Sequence, residues 1–343
     1  MSDDLLAASL LADEHRHAVA ERARGAIWGQ LVGDAFCLGV HWIYDLKELR
    51  RVYPDGVRGF ETPAPGHYHA GKVPGDLTHY GDAALLLLQS VAETGRVDAR
   101  DFGRRFVERF GSPDYPGYRD HATKDTLSHA AAFARAHPGE AFDYQQGADD
   151  DQLATVSRLA PVVSLLVLAG ADTPALLRHV ETITRVTQNN DRAVAYAKAD
   201  ALVLAALLTG QSLHEALRSA EAAITEAAPA GGEEVRRRFR AAADATLLTV
   251  AAATLQFGQS CPLEHSFPAS VHCLVKHSTS YNDALPANAA AGGDSAGRAG
   301  MLGAWLGALL GPEAIPAGWC QRLTAAPAIH AAIDRLLSPV PAR

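Results

Sequence analysis

The chain has 343 residues, 48% apolar and 20% charged, a balance that excludes wholesale disorder and collagen-like repeats. Its net charge of −8 and pI of about 6.0 have the wrong sign for non-specific nucleic-acid or anionic-membrane binding, so neither partner is expected. Cys37, Cys261, Cys273 and Cys320 are too sparse for a disulfide scaffold, the acidic N-terminal stretch does not read as a secretory signal, and no apolar run reaches the ~20 residues of a membrane span; a cytoplasmic protein is expected.

Helix signals dominate. Residues 21–39 read as a helix with Gly25, Gly29 and Gly33 on one face. Glycine inside a helix costs about 1 kcal/mol against alanine, so the stripe predicts a neighbouring helix at very close range. Residues 40–76, rich in Pro, Gly, Tyr and His, read as a long irregular loop of the kind that is usually functional. Helices are predicted over 81–93, 99–110, 126–137 and 151–170, with a second Pro/Gly/Tyr loop at 112–120. Asp172 and Pro174 are a helix cap and a helix-starting proline. Further helices are predicted over 174–187, 192–209, 212–227 and 233–254. A His-rich stretch at 259–280 leads to a helix at 280–291, the turn Gly292-Gly293-Asp294, and a last clear helix at 299–311. No compositional break and no fixed-period repeat divides the chain. One all-α domain over 1–343 is expected, with its core in roughly residues 20–322.

Two short segments place an Asp beside glycines next to long helices: Gly33-Asp34-Ala35 and Gly292-Gly293-Asp294-Ser295-Ala296-Gly297-Arg298. Each alone reads as a helix cap. Together, the run from Arg22 to Ala35 resembles the opening of the ADP-ribosylglycohydrolase family. The run from Ala287 onward, followed by Ile315-Pro316-Ala317-Gly318-Trp319, resembles that family's closing GGDxDT segment. Between them, residues 75–88 occupy the place of its TDDT helix start, Arg158 to Pro161 looks like its R-x-x-P helix, and Thr187 to Ala195 looks like its T-H-x-x-P element. The resemblance implies an all-α orthogonal bundle with two Mg²⁺ ions that cleaves a glycosidic bond of ADP-ribose.

The sequence departs from the family at the metal ligands. The adjacent carboxylates of TDDT are absent whether the quartet begins at Thr78 or His79, the second Asp of the closing motif is Ala296, and His41 and Gln188 stand at two further altered positions. Mg²⁺ needs a dense set of oxygen ligands, so no dinuclear centre is expected. No cofactor is required, and at most one Mg²⁺ would bind, with Asp294 the firm candidate ligand. The replacement pattern resembles the subgroup containing the J1 crystallins and selenoprotein J. The resemblance assigns Asp82, Asp294, His79 and His41 to catalysis and Asp34, Tyr80, Tyr118, Arg119, Asn189, Ser295 and Arg298 to contacts with a small-molecule or ADP-ribosylated substrate. Arg298 has a second reading, an ion pair to Asp294 or Asp82 in lieu of a metal. Cys261, His265, His272, Cys273 and His277 partly fit zinc spacing, with buried helical side chains as the alternative. Three functions stay open: a metal-independent or single-metal hydrolase, a non-cleaving ADP-ribose or nucleotide binder, and a crystallin-like structural protein.

Overall fold

The computed structural model describes residues 3–338, with side chains from Asp13 onward. The described residues form sixteen α-helices and no strand, as the sequence predicts. They are α1 (Asp3–Cys37), α2 (Leu46–Val52), α3 (His79–Thr94), α4 (Ala99–Gly111), α5 (His121–Ala136), α6 (Ala160–Leu168), α7 (Thr173–Arg185) and α8 (Asp191–Leu208). The chain continues through α9 (Leu213–Ala227), α10 (Gly232–Asp244), α11 (Val250–Phe257), α12 (Leu263–Lys276), α13 (Tyr281–Ala290), α14 (Ser295–Leu310), α15 (Ala317–Arg322) and α16 (Ala326–Leu337). None of the described helices is long and apolar enough to cross a membrane.

Short polar side chains set where most helices begin. Thr78, Asp98, Asp120, Asp172, Asn190 and Asp294 each accept a hydrogen bond from a first-turn N–H of the helix that follows, which satisfies donors with no partner inside the helix. Ser212 adds a capping box with Glu215.

The central pair is α1 and α14. Gly25, Gly29 and Gly33 lie against Gly307, Gly303 and Ala299 of α14, backbone on backbone. A Cβ on Gly29 would stand 2.1 Å from the Gly303 carbonyl oxygen, and one on Gly303 equally close to the Gly29 oxygen. The Tyr281 hydroxyl donates to Gly29 O at 2.7 Å and locks the crossing. Around this pair the buried apolar side chains form one contiguous core that includes Trp305, Tyr196, Phe267 and Phe36.

Four expectations about elements need correction. The 40–76 loop contains α2, nucleated by Asp45, which accepts from Lys47 N. The helix expected from 151 starts only at Ala160, because residues before it turn through a 3-10 segment, Val156–Arg158. The helix expected over 233–254 is two helices: α10 stops at Asp244, Leu247 points into solvent at 96% exposure, and Thr249 caps α11. The His-rich stretch at 259–280 is mostly α12, and α15 and α16 extend the fold beyond the last predicted helix.

One buried charge in α8 carries a stability prediction. Asp200 is fully buried, and neither its Oδ1 nor the nearby Trp305 indole N–H has a hydrogen-bond partner. Burial pushes its carboxyl well above the usual range, only partly tempered by that indole. A group with a raised folded-state pKa stabilises most below its unfolded value near 4 and loses that contribution as pH rises. Asp200→Asn, which never ionises, should therefore gain roughly 1–3 kcal/mol at neutral pH and almost nothing near pH 4, read by urea melts at both.

Candidate functional site

Three distant segments meet at one end of the α1–α14 pair: the turn after α1, the start of α3, and the turn before α14. Trp42 N–H donates to Gly293 O and Gly293 N–H to Ile43 O, both at 2.8 Å, so the first and last segments are tied backbone to backbone. Gly292 and Gly293 have φ of 69° and 65°, the left-handed region that glycine enters without penalty. A Cβ on Gly293 would lie 2.2 Å from Gln259 O. Trp42 also has a positive φ, 64°, strained for a bulky residue. That conformation lays its indole on the His41 ring, with centroids 4.1 Å apart.

Asp294 is fully buried. Its Oδ1 caps α14 at Gly297 N, 3.2 Å, and its Oδ2 accepts from the Tyr80 hydroxyl at 2.9 Å and the Trp42 indole at 3.4 Å. Among the described residues the only group at ion-pair distance is His41, with Nδ1 3.7 Å from Oδ1. Asp34, from α1, is buried beneath the start of α3. It accepts from Thr78 N at 2.7 Å, the Thr78 hydroxyl at 2.5 Å and Gly81 N at 3.1 Å. Burial raises its pKa to about 6, against the opposing pull of the Thr78 donors. Gly81 permits this approach, since a Cβ there would meet Asp34 Oδ2 at 2.2 Å. Asp82 is partly exposed, and its Oδ2 takes Lys72 Nζ at 3.0 Å and the Tyr115 hydroxyl at 2.8 Å. The consecutive residues Tyr80, Gly81 and Asp82 thus link Asp294, Asp34 and Lys72.

Above Asp294 sits a cluster of rings. His41, His69 and His79 are 0–2% exposed. Trp42 packs within 6 Å of all three, and Tyr118 stands edge-on to Trp42 at 5.0 Å and to His79 at 5.5 Å. His67 pins the loop by holding His41 O at 2.5 Å and accepting from His69 N at 3.1 Å. Burial, reinforced by the other imidazoles, holds His41 well below the ordinary histidine value and His69 down at about 2. A cavity of about 920 Å³ lies elsewhere, between α4 and α5 beside Phe133, Phe142 and Tyr144, and shares no residue with this cluster.

The structure therefore brings together Asp34, His41, His79, Tyr80, Asp82, Tyr118 and Asp294. Four other assignments need correction. Arg298 is fully buried and donates to Asn288 Oδ1 and to the carbonyls of Gly292 and Gln259, so its guanidinium is spent bracing the GGD turn and makes no direct ion pair with Asp294 or Asp82. Arg119 donates to Phe110 O and Ser112 O, clamping its own loop. Asn189 is exposed, accepts from Arg185, and lines a separate cavity with His129 and Gln146. Ser295 is fully buried beneath the turn, with its carbonyl taking Asn288 Nδ2. The stretch at 261–277 does not converge on a zinc site and follows its alternative reading, helical side chains with their own partners: His272 bonds Ala245 O, His265 bonds Ser260, and Cys273 bonds Ala284 O. Sequence reasoning passed over Trp42, His69, Lys72 and Asp120. His67-Tyr68-His69 in a long loop was the available signal.

The profile of the ADP-ribosylglycohydrolase family matches residues 15–342. The chain belongs to this family. It is similar to crystallin J1B of Tripedalia cystophora, 26% identical over 311 residues that cover 89% of this chain and 92% of the crystallin. Crystallin J1A of the same organism is also 26% identical, covering 88% and 92%. A solved structure described as an ADP-ribosylglycohydrolase-related protein complex superposes with a TM-score of 0.70 at 20% identity, covering 94% of this chain and 98% of that one, and so shares the fold.

The residues present do not fit the Mg²⁺ pair implied by this family. Both Asp34 oxygens are committed to protein donors, the ammonium of Lys72 lies against Asp82, and Tyr80, Gly81 and Ala296 supply no carboxylate. Thr78 instead acts twice, donating to Asp34 and accepting from Tyr80 N as the α3 cap. Thr78→Val should destabilise by about 1–2 kcal/mol. Because the lost hydroxyl donor favours ionised Asp34, the loss should grow as pH rises through about 6; melts at pH 5 and pH 8 compare the two.

Proposed function

We propose that the chain is a glycosidic-bond hydrolase acting on an ADP-ribose-like small molecule or ADP-ribosylated substrate, without the Mg²⁺ pair of its family. Asp294 carries this reading: a buried carboxylate with no Lys or Arg partner among the described residues, aimed by Tyr80 and Trp42. Cleavage at an anomeric carbon passes through an oxocarbenium-like state. A carboxylate placed there stabilises the growing positive charge and can take a proton from the attacking water. Asp82, partly exposed beside Lys72, supplies a carboxylate for ribose hydroxyls. The rings of Trp42, Tyr68 and Tyr118 form a cover that a sugar must part, and they offer faces on which an adenine can stack.

The same cover, together with the similarity to the J1 crystallins, favours a second reading, a protein that binds such a ligand without cleaving it. Assays with N- and O-linked ADP-ribose substrates, run with and without added Mg²⁺ beside calorimetric titration of ADP-ribose, separate the two. Turnover that Mg²⁺ does not raise supports the hydrolase. Binding without turnover supports the second reading, and Mg²⁺-dependent turnover overturns the first.

A further inference from the structure

We infer that His41, His69 and His79 form a binding site for one borderline divalent transition ion, of the Zn²⁺ or Co²⁺ kind. One ring nitrogen from each lies within 4.8 Å of the others, and all three residues are buried. Five of their six ring nitrogens, His41 Nε2 and both nitrogens of His69 and His79, have no hydrogen-bond partner. An unpaired buried polar group costs about 1–3 kcal/mol, so five in one cluster demand a reason that packing does not supply. A tetrahedral ion with Zn–N bonds of about 2.0–2.1 Å places its ligands about 3.3 Å apart, within reach after ring movements on the order of 1 Å.

The surroundings match a ligand shell. A metal-bound imidazole usually turns its other ring nitrogen to a carboxylate, which fixes ring orientation and strengthens the ligand. His79 comes near this arrangement, with Nε2 3.5 Å from Asp120 Oδ2, while His41 Nδ1 accepts from Ala296 N at 3.3 Å and lies 3.7 Å from Asp294 Oδ1. That leaves His41 Nε2 and His79 Nδ1 for the ion. Asp294 and Asp120 also supply two negative charges to offset a divalent cation in a buried place. The Trp42 indole, lying over all three rings, walls the cluster. Imidazole nitrogens select Zn²⁺, Co²⁺, Ni²⁺ or Cu²⁺ and not Mg²⁺, which demands oxygen. Three protein ligands leave a fourth position for water, the arrangement of catalytic zinc sites. The inference stands apart from the hydrolase reading, because ion binding is measured without turnover.

The test uses the full chain stripped with a chelator, dialysed, and titrated with Zn²⁺ and, separately, Co²⁺. One equivalent per chain is expected, with the visible band of tetrahedral Co²⁺ and no binding of Mg²⁺ at the same concentrations. His69→Gln should abolish the Co²⁺ band, and Cys261→Ser and His265→Ala should keep it. Asp120→Asn still caps α5 through its side-chain oxygen, so it should fold normally and bind about 10–100-fold more weakly. Helical circular dichroism of each variant confirms folding. Absence of stoichiometric binding in the wild-type chain overturns the inference. So does full binding retained by both His69→Gln and Asp120→Asn.

Discussion

Gly29→Ala is expected to remove about 3 kcal/mol or more of stability, the upper range for overpacking a rigid contact. The added methyl has nowhere to go, because its nearest neighbour is the Gly303 carbonyl, a backbone atom in the middle of α14. Relief requires α1 and α14 to separate, which would loosen the Tyr281 hydrogen bond to Gly29 and the core on both sides. Gly303→Ala should cost about as much, and the double variant less than the sum, since both act on one contact. Gly318→Ala is the control: a Cβ there meets nothing within 4 Å, so a change of no more than about 1 kcal/mol, in the stabilising direction, is expected. Equal melting curves for Gly29→Ala and Gly318→Ala would refute the close-packed crossing.

Asp294→Asn should lower turnover by about 100- to 10,000-fold, the usual range for losing a positioned acid–base group. Stability should fall by only about 1–3 kcal/mol. The carboxylate now serves the α14 cap through Oδ1 and Tyr80 and Trp42 through Oδ2. An amide has one oxygen, so it keeps one of these sets and turns its NH₂ toward the other. Single-turnover rates beside urea melts measure both effects. A variant that melts like wild type and still turns over within a few-fold would remove Asp294 from the chemistry.

Much of the architecture was legible because it is local. Glycines spaced by four announce a helix–helix contact whatever lies opposite, and Asp172 with Pro174 announces a start. The break at Leu247 was not legible, because apolar residues on both sides continue a helical pattern while a single cap, Thr249, decides the ending. At the site, motif positions located Asp34, His41, His79 and Asp294, since each belongs to a segment with glycine punctuation. His69 and Lys72 lie in a loop whose path depends on His67 holding His41 O, a contact 26 positions away. Arg298 and Arg119 were misjudged for a physical reason: a guanidinium that braces buried carbonyls and one that awaits a phosphate look the same in a sequence, and only the partner groups tell them apart.

The ammonium of Lys72 against Asp82 carries a consequence for how the site answers its surroundings. A free cation occupies a site according to its concentration and can be withdrawn by chelation or competition. A cation covalently fixed to the chain is present at a local concentration set by its tether, with most of its entropy of capture already lost in folding. Lys72 is in this sense a counter-ion for Asp82 that dilution cannot remove. The electrostatics around Asp82 should therefore hold steady across swings in cellular magnesium, unless displacement of the loop bearing Lys72, held by the bond from its Nζ to Leu77 O, leaves that carboxylate with the Tyr115 hydroxyl alone.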